Sequence, residues 1–339
     1  MKKREINDLR FLYLSTRLTA IENSLIKGEK LTRLSDARDY DEAFSYVLEY
    51  YGLSKEQSTD LSYEEVLSSE LSKAYDLAAE LIDATIDTDN KPHEVLYPLR
   101  FVYDCQNLKS AIKCSLLDRS AKGMLYDTGT VGADEVESLV RERDFNKFPE
   151  NLAKQAPVAI EQLSATADPQ EVDLLLDRAV FRDMLKAAED TRSDYITELV
   201  KLRIDSVNII SCIRCIKQKK SKAYMQKLYI DGGKLEESFF TENYDENPSK
   251  LLGALAFTDF SALAGVDHTS VSSAEIEKLC DNVYAAKAYS ASYKPFGIEK
   301  AVCYIIQKEY EIKNVRIILA GKSCGLASDK IKERLRVSA

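Results

Sequence analysis

The sequence of 339 residues predicts an all-α protein, and three observations support this fold class. Only 12 glycines and 7 prolines are present, well below the roughly 7% and 5% of an average chain. Leu, Ala, Glu and Lys, which favour helices, are abundant. Apolar residues recur at steps of three and four, which is the spacing of one helix face. We therefore expect helices joined by short connections.

One pattern of thirteen residues occurs three times along the chain. It is FVYDCQNLKSAIK at 101–113, LRIDSVNIISCIR at 202–214 and KEYEIKNVRIILA at 308–320. Each copy holds a carboxylate and, three residues later, an asparagine that is followed directly by an apolar residue. The pairs are Asp104 with Asn107, Asp205 with Asn208, and Glu311 with Asn314. Successive asparagines are 101 and 106 residues apart, so we predict three similar helical subdomains, at residues 1–126, 127–232 and 233–339.

The carboxylate and the asparagine of each pair share one face of a helix, because residues three apart lie side by side. Two interpretations of these six signature residues stay open. In the first, buried hydrogen bonds fix how each helix meets a neighbour, so the role is structural. In the second, the three pairs line a shared central surface and contact a partner.

The first subdomain is predicted to contain four helices. The first runs from Leu12 to Lys27, where Gly28 ends it, and the second from Asp39 to Tyr51. Ser62 and Glu65 have the spacing of a capping box at the start of a long helix, about 63–84. The helix that carries the first copy of the pattern follows. Pro98 within it should kink the helix or start it afresh.

The second and third subdomains repeat this order of a long helix, a tight connector and a motif helix, which is the helix that carries the pattern. Asp168 is expected to cap the long helix at 169–190, with the second motif helix at about 195–219. The third long helix begins near Ser273. The third motif helix spans about 298–320, and a last short helix spans 328–336.

Charge and cysteine content restrict the partners and the compartment. A net charge of −9 argues against a nucleic-acid partner. One basic cluster follows the second motif helix, and it is interpreted either as a solvated helix end or as a surface for an anionic partner; it comprises Lys217, Lys219, Lys220 and Lys222. Seven cysteines, an odd number, suit buried thiols in a reducing cytoplasm. The longest apolar run, 251–257, is too short for a membrane span, so we expect a soluble chain.

Two segments resemble motifs for phosphate or zinc binding but lack residues that those motifs require. The segment 321–323, Gly-Lys-Ser, resembles the tail of a phosphate-binding loop, but Arg316 stands where that motif needs glycine. Cys212 and Cys215 form a CxxC within a helical pattern, without the further ligands of a zinc site. We therefore expect a non-catalytic protein with no cofactor, no metal and no small-molecule substrate.

The chain resembles the C subunit of bacterial and archaeal V/A-type rotary ATPases, the counterpart of the d subunit of eukaryotic V-ATPases. The resemblance rests on the threefold repeat and on YLSTRLTAIENSLI (13–26), LEYYGL (48–53), YDCQNLKSAIK (103–113) and EYEIKNVRIILAGKSCGLASDKIKERL (309–335). The chain departs from the family at Thr19, where a basic residue is expected. The third repeat also lacks the basic residue that Lys113 and Arg214 provide in the other two.

The resemblance implies a funnel of three similar helical subdomains around a pseudo-threefold axis. It also implies a non-catalytic component of the central stalk, peripheral on the cytoplasmic face of the membrane. Such a component joins the D and F shaft subunits to the proteolipid ring, for ATP-driven ion transport, including hydrogen ion transport, or for ATP synthesis. The signature residues would hold helices in register around the central opening. The alternative is a helical-repeat scaffold of another soluble complex.

Overall fold

A computed structural model describes residues 11–54, 61–85, 92–266, 272–294 and 296–337. Within these ranges every regular element is a helix, and no strand is present. The prediction of an all-α protein is confirmed. The chain forms two compact units, and the first combines both ends of the sequence. Unit 1 comprises 1–93 and 278–339, and unit 2 comprises 94–277.

Unit 1 is built around its longest helix, the third motif helix. Its helices are α1 (Leu12–Glu22), α2 (Glu29–Asp36), α3 (Tyr40–Tyr50), α4 (Tyr63–Thr85), α14 (Glu299–Ser323) and α15 (Ser328–Lys332), with 3₁₀ turns at Pro92–Leu96 and Ser290–Tyr293. Helix α14 packs against α1, α2, α3 and α4. No residue from Lys300 to Gly321 is exposed. A helix that is covered on all sides is the core of its unit.

The third motif helix packs on the long helix of the first repeat. Helix α14 packs on α4, and Arg316 Nε donates to both carboxylate oxygens of Glu64, at 2.9 and 3.0 Å. Unit 1 therefore joins the last sequence repeat to the first. This packing explains why the boundaries of the compact units differ from the boundaries of the sequence repeats.

Unit 2 contains the first and second motif helices. Its helices are α5 (Tyr97–Leu116), α6 (Ala133–Glu142), α7 (Glu150–Thr166), α8 (Pro169–Asp190), α9 (Asp194–Lys217), α10 (Lys222–Leu228), α11 (Glu237–Glu242) and α12 (Ser249–Ala254), with 3₁₀ turns at Leu255–Phe257 and Ser261–Gly265. Helix α13 (Ser273–Tyr289) begins in unit 2 and continues into unit 1.

Helix α8 organises unit 2 through contacts with α5, α7 and α9. The first motif helix, α5, packs on α8, the long helix of the second repeat. Two ion pairs at 2.5 Å accompany this packing, Lys109 with Asp177 and Lys113 with Asp173. Apolar residues of both helices are buried, among them Leu108 and Ile112 of α5 and Val172 and Leu176 of α8. A motif helix thus contacts the long helix of the next repeat here, as it does in unit 1.

The start of α5 agrees with the sequence prediction, and the end of α1 does not. Helix α5 starts afresh at Tyr97, so Pro98 lies in its first turn, where its missing N–H costs nothing. The predicted helix from Leu12 to Lys27 is wrong at its end, because α1 stops at Glu22. The reason is tertiary, since the Ile26 N–H donates to the Glu311 carboxylate instead of continuing the helix. Helix α2, which directly follows this turn, was not predicted from the sequence.

Candidate functional site

The asparagine of each motif copy makes two hydrogen bonds to the backbone of one residue in the chain that follows the helix. Its amide nitrogen donates to that residue's C=O, and its amide oxygen accepts from the same residue's N–H. The pairs are Asn107 with Tyr126 (2.8 and 2.8 Å), Asn208 with Ile230 (2.7 and 2.9 Å) and Asn314 with Arg336 (3.2 and 2.8 Å).

Asparagine suits this position because its side-chain amide presents one donor and one acceptor in the arrangement of a peptide group. All three asparagines are buried. Without them, a backbone N–H and C=O would lose these partners in each copy, which is costly where those groups are buried, as at Ile230. Each asparagine therefore ties the returning chain to its own motif helix.

The carboxylate of the first copy binds the same returning chain a few residues further on. Asp104 is fully buried. It accepts from the Thr130 N–H at 2.8 Å, the Thr130 hydroxyl at 2.7 Å and the Val131 N–H at 3.1 Å. A Cβ at Gly129 would overlap the carboxylate. Burial raises the pKa of Asp104 to about 6, and the three hydrogen bonds oppose that rise.

The second copy repeats this geometry with different residues in the bound loop. Asp205 is 1% exposed and accepts from the N–H groups of Lys234 and Leu235, at 3.0 and 3.1 Å. A Cβ at Gly233 would overlap its carboxylate. Burial raises the pKa of Asp205 to about 6 as well. We call each carboxylate and asparagine pair, with the backbone groups that it binds, a loop clamp.

The third loop clamp takes two of its three carboxylate ligands from the N-terminal part of the chain and the third from its own helix. Glu311 accepts from the Ile26 N–H at 2.9 Å, the Tyr51 hydroxyl at 2.8 Å and the Lys308 ammonium at 2.7 Å. The Lys308 ammonium also lies 4.4 Å from the centroid of the Tyr51 ring. Burial, and then the Glu311 charge, raise the pKa of Tyr51 well above its usual value. This is the only clamp with an ion pair among the described residues.

The three motif helices also end in the same way, nine residues after their asparagines, and a residue with positive φ follows two positions later. Asp118, Lys219 and Gly325 have φ angles of +50°, +54° and +67°. Each begins a left-handed turn that ends the helix. Only the third copy carries the glycine that this conformation favours. In the other two copies the residue type therefore does not mark the end of the helix.

The six signature residues are thus all buried, and their partners are backbone groups together with a few side chains within the same unit. Sequence reasoning missed the other half of each clamp. The signal was present, because YDTGTV at 126–131 and IDGGKL at 230–235 share an aspartate at the second position, a glycine at the fourth and an apolar residue at the sixth. The glycine is required by the close approach of the carboxylate.

The other motifs singled out in the sequence lie within helices. Gly321 to Ser323 form the last turn of α14, where the Lys322 ammonium donates to the Ser328 hydroxyl at 3.0 Å. Cys212 and Cys215 are buried in α9, and burial raises the pKa of both thiols. Within the described ranges no group of three or more His, Cys, Asp or Glu could hold a metal ion.

None of the described helices combines the length and the apolar character needed to cross a membrane. The carboxylate oxygens of the loop clamps accept their hydrogen bonds from groups of the protein itself. This arrangement suits a role in holding loops in place.

Comparison with known proteins identifies the family of the chain. The family model described as ATP synthase (C/AC39) subunit matches residues 14–334. The chain is 21% identical to the C subunit of the V-type sodium ATPase of Enterococcus hirae, over 82% of this chain and 83% of the relative. It is 22% identical to the C subunit of the A-type ATP synthase of Methanosarcina mazei, over 98% and 94%. It is 23% identical to the protein of the same name from Haloquadratum walsbyi, over 95% and 96%. The family match covers nearly the whole chain, so the chain belongs to this family.

Proposed function

We propose, because the chain belongs to the ATP synthase (C/AC39) subunit family, that it is the non-catalytic C subunit of a V/A-type rotary ATPase. The observation that carries this proposal is the family match over residues 14–334. The relatives named above are subunits of a sodium ATPase and of ATP synthases, and they align with most of this chain. The eukaryotic counterpart would be the V-ATPase d subunit.

In this role the chain couples the D and F shaft subunits to the membrane proteolipid ring, on the cytoplasmic face. The three sequence repeats, 1–126, 127–232 and 233–339, would form three wedges around a central opening. What supports this arrangement is the equivalence of the three loop clamps and of the three helix ends. The signature residues would then hold the chain beside that opening, with a structural role.

An adaptor that transmits torque must resist deformation, and the loop clamps favour such stiffness. Each ties a loop to a helix through several hydrogen bonds of a buried carboxylate and a buried asparagine, and opening the clamp leaves these polar side chains without their partners. Helix α14 adds a rigid core, because its buried Lys308 and Glu311 are paired with each other. A polar group fixed in this way has few alternative positions.

The proposal is tested by affinity purification of the tagged chain from membranes of its own cells in a mild detergent. We expect mass spectrometry to find the D and F shaft subunits and the ring proteolipid together with the tagged chain. Untagged cells provide the control for non-specific recovery. Recovery of soluble proteins alone, with neither shaft nor proteolipid, would contradict the proposal and favour a scaffold of another complex.

A further inference from the structure

A group of exposed lysines lies where α9 ends and α10 follows. Between Asp205 and Asp231 the chain has no acidic residue, one arginine and five lysines, although the whole chain carries a net charge of −9. Four of these lysines form what we call the lysine patch. Its members are Lys219, Lys220, Lys222 and Lys227, all exposed.

Among the residues that the structure describes, no acidic side chain forms an ion pair with any of the four members of the lysine patch. Lysines elsewhere in unit 2 differ, since Lys154 and Lys186 both pair with Glu150 at 2.6 Å. The patch therefore keeps its positive charge available to an external anion.

The local fold projects these lysines outward. Lys219 takes the left-handed conformation that ends α9, and the Lys220 N–H donates to the Cys215 carbonyl at 2.9 Å. The Ser221 hydroxyl then accepts from the Tyr224 N–H at 3.2 Å and starts α10. The Lys220 ammonium lies 5.3 Å from the centroid of the Tyr224 ring. The backbone is thus ordered, and the charged ends of the side chains face solvent.

An acidic segment packs beside the lysine patch and limits its extent on one side. The Tyr244 hydroxyl donates to the Lys220 carbonyl at 2.8 Å, and the Gln226 amide donates to Glu237 at 2.7 Å. The acidic groups of this segment are Glu236, Glu237, Glu242, Asp245 and Glu246. A binding surface would therefore lie on the side of the patch away from α11.

We propose that the lysine patch binds anionic phospholipid headgroups at a membrane surface. Lysine is a flexible point charge, whereas the centres of protein interfaces are depleted in lysine and enriched in arginine and aromatic residues. Clusters of four to eight basic residues near a membrane are typical of binding to anionic lipid. This inference rests on the proposed function, because that function places the chain beside a membrane.

The test is co-sedimentation of the purified full chain with vesicles. One set contains phosphatidylcholine alone, and the other contains phosphatidylcholine with phosphatidylglycerol. We expect binding to the anionic vesicles only, and its loss when salt is raised from about 0.05 M to about 0.5 M, because salt screens exposed charges. Each lysine near an anionic surface should strengthen binding about fivefold.

Two variants of equal net charge separate the lysine patch from charge in general. Both change four exposed lysines to glutamine, and both lower the net charge from −9 to −13. The patch variant is Lys219→Gln, Lys220→Gln, Lys222→Gln and Lys227→Gln, and the scattered control is Lys73→Gln, Lys122→Gln, Lys154→Gln and Lys330→Gln. We expect the patch variant to lose more than about a hundredfold in vesicle binding, and the scattered control to lose less than about tenfold.

The proposal is overturned if the unmodified chain does not bind anionic vesicles at low salt, or if both variants lose binding equally. A combined result would identify another partner. If the unmodified chain does not bind vesicles, and the patch variant does not recover the shaft and the proteolipid from membranes, then the patch contacts an acidic protein and the proposal is overturned. If the unmodified chain does not recover the shaft and the proteolipid from membranes, the proposed function is contradicted. Vesicle binding is measured on the purified chain, so its result does not depend on that recovery.

Discussion

Replacing Asn208 with leucine should destabilise unit 2 by about 2–6 kcal/mol. The substitution leaves the N–H and the C=O of Ile230 without the hydrogen bonds that Asn208 provides at 2.9 and 2.7 Å. Both bonds are buried, and each buried polar group without a partner costs about 1–3 kcal/mol. Leucine has the branching and the number of side-chain heavy atoms of asparagine but no polar atom, so the lost hydrogen bonds should dominate the effect.

The same change at Asn107 should cost less, because its partner Tyr126 is only half-buried and water can replace the lost bonds. Asn146→Leu is the matched control. Asn146 is exposed in the same unit, and surface substitutions usually change stability by less than about 0.5 kcal/mol. The expected order of destabilisation is therefore Asn208→Leu, then Asn107→Leu, then Asn146→Leu.

Two measurements check this order. Urea unfolding followed by far-ultraviolet circular dichroism gives the free energy of unfolding, with each transition fitted separately where the two compact units unfold apart. Native-state hydrogen exchange reads the clamp directly, because the Ile230 amide should lose protection in Asn208→Leu. A cost below about 1 kcal/mol, with the Ile230 amide still protected, would refute the reasoning.

Three further predictions concern the clamp carboxylates. Gly233→Ala should cost about 1–3 kcal/mol in urea unfolding, because its Cβ overlaps the Asp205 carboxylate. The control Gly253→Ala has open space in a helix and should stabilise the protein by about 1 kcal/mol. Equal effects of the two substitutions would contradict this prediction. Burial raises the pKa of Asp205 to about 6, so the folded state binds the proton more tightly than the unfolded state. The stability of the wild type relative to Asp205→Asn should therefore rise by about 1 kcal/mol between pH 7 and pH 5, and a flat difference would exclude the raised pKa. Lys308→Met leaves Glu311 buried without its ion pair and should cost about 3–5 kcal/mol, with partial recovery when Glu311→Gln is added; a thermal melt that shows no recovery would refute this.

The helices themselves follow from local patterns in the sequence. The second and third motif helices begin and end within a few residues of the predicted positions, because their apolar periodicity is long. The long helix α8 begins where its cap predicts, since the Asp168 carboxylate accepts from the Gln170 N–H at 2.9 Å. The end of α1 could not be predicted, since the Ile26 N–H is bound by a carboxylate 285 residues away in the sequence. No local pattern reports such a contact.

Only part of each loop clamp was visible in the sequence. The signature residues were found because they repeat with constant spacing. Their partners were missed because a backbone group can be bound whatever side chain it carries, so Tyr126, Ile230 and Arg336 share no residue type. The glycines at 129 and 233 were the remaining clue, and they are explained by the carboxylates that approach them.

The sequence by itself determined the helical class, the three repeats and the residues that mark them, because these depend on composition, periodicity and spacing along the chain. The tertiary structure decided which parts of the chain pack together. Helix α14 lies on α4 and not within a unit made only of its own repeat. The third carboxylate likewise finds its ligands at Ile26 and Tyr51. Burial of apolar surface favours any complementary face regardless of sequence distance, so that choice of partner is fixed only when the whole chain has folded.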